Sequence, residues 1–107
     1  MTFNEFQNFT ATPAIYPKEK GLEYTLFGLA NEVGEVLGVY KKIIRDNNNI
    51  MDEERKYKMI DELSDVAYAL ASVARELDVT LEEVIHFNVI KLSRRKKNNT
   101  IKGSGDR

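Results

Sequence analysis

Apolar residues recur at helical intervals from Leu22 through Leu26, Leu29, Val33, Val36, Leu37 and Tyr40 to Ile44. They do so again from Met59 through Leu63, Val66, Leu70 and Val73 to Leu77. Little separates the two runs besides the polar stretch Asp46-Asn47-Asn48-Asn49. Two long amphipathic helices joined by so short a polar turn are expected to fold back on each other as an antiparallel pair.

The rest of the chain fits around that hairpin. Phe3, Phe6 and Phe9 mark a short amphipathic helix, and Pro13 and Pro17 punctuate a loop after it. The first long helix is expected from about Leu22 to Arg45. The second is expected to start near Asp52, a plausible cap followed by acidic Glu53 and Glu54, and to stop near Asp78. Thr80 and Glu83 form a capping box that opens a last helix through Leu81, Val84, Ile85, Val89 and Leu92 to about Lys97. Residues 98–107 have no periodicity and read as an irregular tail, and no strand pattern or internal repeat occurs anywhere. The expected class is all-α: a four-helix-type bundle with two long antiparallel helices, forming a single domain over residues 1–107.

Composition removes several function classes. With 16 basic and 17 acidic residues the formal charge is -1, so no bulk field announces a nucleic-acid partner. There is no cysteine, which excludes disulfides, thiolate metal sites and cysteine nucleophiles. No apolar run approaches the roughly 20 residues of a membrane span, and the first residues lack a signal-peptide pattern. A cytoplasmic protein without a membrane partner is expected.

The informative anomaly is carboxylate placement. Glu32 and Glu35 are three apart on the first long helix, and Glu62 and Asp65 repeat that spacing on the second. With Val33 as the centre of the apolar stripe, Glu32 lies about 100° and Glu35 about 160° around the helix, on a flank shared with Val39 and Ile43. With Val66 as centre, Glu62 falls about 40° off axis, among Leu63, Leu70 and Val73. An ionised carboxylate in an apolar sector is costly unless something positive compensates it. Two acidic pairs facing across an antiparallel seam would repel, and a hard divalent cation removes that repulsion. Solvated surface glutamates are the plainer explanation of a single such pair; two pairs on consecutive helices weaken it.

At these residues the chain resembles the MazG-like branch of the all-α nucleoside triphosphate pyrophosphatase superfamily, whose signature is ExxE followed some turns later by ExxD. The match extends to LANEVGEV, KKIIRD, DELSDVAYALA, LEEV, KLSRRK and the terminal GSGDR. The resemblance implies hydrolysis of a nucleoside triphosphate substrate, ribo- or deoxyribo-, to monophosphate and pyrophosphate. It implies Mg²⁺, with Mn²⁺ as an alternative, and a homodimer or homotetramer. Glu32, Glu35, Glu62 and Asp65 would be the metal ligands and catalytic carboxylates, with Glu32 or Glu35 acting on the attacking water. Two departures stand out: Tyr68-Ala69 where many relatives carry Trp-Tyr, and Asn98-Asn99 where relatives often carry Arg-Gly.

A polyphosphate also needs cations beside the metal. Lys41 and Lys42 follow the first acidic pair, and Asn88, Lys91 and Arg94 share a face of the last helix and match the family's polar stripe. These five are the expected substrate contacts, and Val39 and Ile43 are expected to be covered by a second subunit. His86 with Glu83 has the spacing of a di-iron ligand pair, but such bundles need two pairs and this chain has one histidine. No phosphate-binding glycine loop or nucleophile elbow is present. The competing expectation is a non-catalytic helical interaction module that keeps a structural metal site.

Overall fold

The computed structural model describes residues 1–99. Four α-helices follow in order: α1 (Phe3–Thr10), α2 (Gly21–Asp46), α3 (Glu53–Glu76) and α4 (Leu81–Lys97), with one 3₁₀ turn at Lys18–Lys20. No strand occurs among the described residues, so the chain is all-α as expected. Of the tail expected over residues 98–107, only Asn98 and Asn99 fall within the described residues, where they close the end of α4.

The helix starts are chemically specified. Thr2 and Glu5 satisfy each other's backbone amides in a capping box, while Asp52 and Thr80 accept from the amides of Arg55 and Glu83. The ends use residues that tolerate the left-handed region. Asn48 and Asn49 adopt positive φ in the α2–α3 turn, and Asp78 does so where α3 gives way to α4.

α2 and α3 form the expected antiparallel hairpin and share the most extensive contact in the molecule. Their pairing is fixed at one end where Gly21, the first residue of α2, lies against Glu76, the last of α3. Around this end α1 packs on α3 and α4 and closes the densest part of the core: Ala69, Ala71, Val73, Ala74 and Leu81. Buried Gln7 joins three segments there, donating to the carbonyls of Ala71 and Val79 and accepting from the amide of Leu81.

Two sequence expectations need correction. The face of α2 that meets α3 is not the Val33 stripe but the flank carrying Gly28, Glu32, Val36, Val39 and Ile43; Val33, Leu37, Tyr40 and Ile44 remain exposed. Ile43, expected to wait for a second subunit, is 1% exposed within the chain, beneath a turn whose Asn49 amide bonds back to its carbonyl. Which of two apolar flanks becomes the seam depends on the surface α3 offers, and periodicity on one helix carries no information about that. The second finding concerns α4, which contacts α1 and α3 but not α2. The molecule is accordingly open, with a radius of gyration of 16.8 Å against about 13 Å for a compact chain of about 100 residues.

Candidate metal centre and adjoining cavity

Equal numbers of residues separate Gly21 from Glu32 and Asp65 from Glu76. Because both helices rise equally per residue from the Gly21–Glu76 contact, Glu32 stands level with Asp65, and Glu35 with Glu62. Oxygens of Glu32, Glu62 and Asp65 lie within 4.8 Å of one another, Glu32 and Glu62 half-buried and Asp65 exposed. Glu35 is exposed and stays outside that three-residue cluster. Among the described residues none of these four carboxylates forms an ion pair with a basic side chain.

The electrostatics follow from this crowding. Burial pushes the Glu32 carboxyl above its ordinary value, and the charges of Asp65, Glu62 and Glu35 push in the same direction. Glu62 is raised by desolvation first, then by Glu35, Asp65 and Asp61, while Lys42 pulls it partly back. Oxygen-only donors that are close, unpaired and mutually repelling suit a hard divalent cation, so the donor set fits the metal that the ExxE and ExxD spacing suggests.

The expected cations are distributed unevenly. Lys42 is near enough to lower Glu62, whereas Lys41 is exposed on α2 without an ion pair among the described residues. Asn88, Lys91 and Arg94 lie on α4, which makes no contact with α2, so one chain does not bring them onto the acidic seam. Lys91 and Arg94 instead line a hollow with Phe87 and Ile90.

A cavity of about 430 Å³ opens beside Glu32. Tyr16, Tyr24, Phe27, Asn31 and Tyr68 line it, and among the described residues Glu32 is the one charged residue in its wall. Sequence reasoning missed this cavity because Pro13–Pro17 reads only as a loop; the available signal was the aromatic content within and after that loop, Tyr16, Tyr24 and Phe27. Tyr68, which follows closely on Asp65 in the sequence, faces it.

Comparison with known proteins finds similarity over most of the chain. The model of the MazG nucleotide pyrophosphohydrolase domain matches residues 20–100, a span that takes in α2, α3 and α4. The chain is also 37% identical over 107 aligned residues, 94% of each chain, to the gene 37 protein of Mycobacterium phage L5. No solved structure matches. No described helix is long and apolar enough to cross a membrane.

Proposed function

Since the chain belongs to the MazG nucleotide pyrophosphohydrolase domain family, we propose that it hydrolyses nucleoside or deoxynucleoside triphosphates to the monophosphate and pyrophosphate with Mg²⁺ or Mn²⁺. The observation that carries this reading is the convergence of Glu32, Glu62 and Asp65 oxygens within 4.8 Å across the α2–α3 seam.

Each side chain has a role that follows from its place. Glu32, Glu62 and Asp65 would hold the cation, which supplies positive charge against the polyphosphate when bound. Glu35, one turn further along α2 and outside the cluster, is the carboxylate left to orient water and accept its proton. Lys42, whose field already reaches Glu62, would meet the phosphate chain, with Lys41 beside it on the rim.

The site needs a second copy of the chain. The outer face of α2, with Leu26, Val33, Leu37, Tyr40 and Ile44, and the exposed face of α4, with Phe87, Val89 and Ile90, are apolar and uncovered. Docking a second subunit on them would bury this surface and could carry Asn88, Lys91 and Arg94 to the acidic seam of its partner. A homodimer or homotetramer is the assembly this favours.

The test is pyrophosphate release from a panel of canonical and modified triphosphates with Mg²⁺ or Mn²⁺, comparing the wild type with Glu35→Gln and Asp65→Asn. Activity in the wild type alone supports the hydrolase. Equal inertness of all three proteins across the panel would leave the non-catalytic module with a structural metal as the better reading.

A further inference from the structure

Tyr16 sits in the loop between α1 and α2, where nothing in the loop's own sequence would hold a tyrosine ring in place. The structure fixes it at both ends. Its ring stacks on Tyr24 of α2, with centroids 4.9 Å apart and planes inclined by 20°. Its hydroxyl donates to Glu76 Oε2 and accepts from Arg75 Nη2 at 3.2 Å, and Arg75 also donates to Thr10 at the end of α1. Burial and the Glu76 carboxylate push the Tyr16 phenol above its ordinary pKa, so the proton that anchors it stays in place at neutral pH. Gly21 leaves room for the acceptor: a Cβ there would collide with the Glu76 carboxylate.

The stacked pair forms a wall of the cavity that ends at Glu32. The hydroxyls of Thr25 and Ser72 in that cavity already donate to carbonyls of their own helices, so they offer a ligand little. Asn31 brings an amide with no hydrogen-bond partner among the described residues. A cavity with aromatic faces, one free amide and, among the described residues, no charge except the carboxylate at its acidic end suits a flat, uncharged heteroaromatic group attached to something that binds at the carboxylate cluster.

We propose that Tyr16 is a base-stacking residue for the nucleotide, and that Glu76 and Arg75 are positioning residues that act through it by clamping its hydroxyl. The inference rests on the nucleotide reading above and assigns the part of the substrate that the carboxylates do not touch. The α1–α2 loop thereby becomes part of the binding site instead of a connector.

The experiment separates this from hydrolysis by using nucleosides, which carry no phosphate, with the full chain and without metal. Ring-proton resonances of Tyr16 and Tyr24 are followed by NMR through the titration, with free ribose as the control. Saturable shifts of both rings with nucleoside and none with ribose are expected. In steady-state assays Tyr16→Leu should raise KM for the triphosphate about tenfold, the size expected for loss of one base stack, while kcat stays within about twofold. Tyr16→Phe and Glu76→Ala keep the ring but lose the clamp and should raise KM by a smaller factor, with Glu76→Gln restoring most of the loss because its amide oxygen still accepts from Tyr16.

Hydrolysis by a wild type whose Tyr16 and Tyr24 rings do not respond to nucleosides would overturn the assignment and leave the hydrolase standing. Ring shifts without any hydrolysis would do the reverse. If Tyr16→Leu does not fold, the decision falls to Glu76→Ala and its glutamine counterpart: a fall in kcat with unchanged KM, or no difference between the two, overturns the clamp.

Discussion

Glu32 on α2 and Asp65 on α3 stand level across the antiparallel seam, and after burial the charge of Asp65 is the largest influence raising the Glu32 carboxyl. Two groups that disfavour each other's ionisation have been brought together by the same packing that makes the hairpin. The carboxylates are thus a local cost to the metal-free protein that a bound cation would reverse.

The sign of the pH dependence follows. A carboxyl whose folded-state pKa is raised contributes stability that is full below its unfolded pKa and is lost as pH rises through the folded value. The metal-free protein is therefore expected to lose stability on that rise through its contributions from Glu32 and Glu62. Protons compete with the cation for the same oxygens, so the rise in Tm on adding Mg²⁺ should be larger near about pH 8 than near about pH 5. Thermal unfolding with Mg²⁺ or with chelator at each pH checks this; an equal increment at both would remove the cluster as the binding site.

Substitution should divide the four carboxylates into two groups. Asp65→Asn and Glu62→Gln are expected to abolish the Mg²⁺-dependent rise in Tm together with activity. Glu35→Gln should keep the rise and lower kcat by about 10²-fold or more, the range of a general base. Loss of the thermal shift in Glu35→Gln would instead place Glu35 among the ligands.

Leu37 and Ile43 lie on the same helix and should behave in opposite ways. Ile43 is 1% exposed, and Ile43→Ala should cost about 2–5 kcal/mol in denaturant unfolding, as cavity-forming substitutions do. Leu37 is 65% exposed in the single chain, and Leu37→Glu should shift the sedimentation coefficient toward a monomer. A wild type that sediments as a monomer at all concentrations would refute the second-copy proposal.

Gln7 is the polar joint between α1, the end of α3 and the start of α4. Gln7→Ala leaves the buried Leu81 amide without its acceptor, and an unsatisfied buried group costs about 1–3 kcal/mol. Equilibrium unfolding by urea measures it. A change under a few tenths of that amount would mean that water replaces the amide.

How much of the site was readable before the fold divides along the same residues. ExxE and ExxD spacing, the off-pattern position of Glu62 and the capping signals at Asp52 and Thr80 are all local; both caps form, Thr80 as the accepting half of its box with Glu83. Glu35 shares the ExxE spacing with Glu32, but packing half-buries Glu32 and leaves Glu35 exposed, outside the three-residue cluster. Likewise Lys91 and Arg94 share a face of their helix, yet that helix makes no contact with α2 within one chain.

By itself, the sequence determined the helices, because period, caps and left-handed turn residues act within a few positions of each other along the chain. It also determined which helices carry the acidic pairs. Only the tertiary structure decided which flank of α2 is core, which is exposed apolar surface, and that Tyr16 reaches Glu76 across 60 positions to wall a cavity beside Glu32. Those outcomes depend on how two surfaces fit, and packing between segments distant in the chain leaves no periodic trace in either of them.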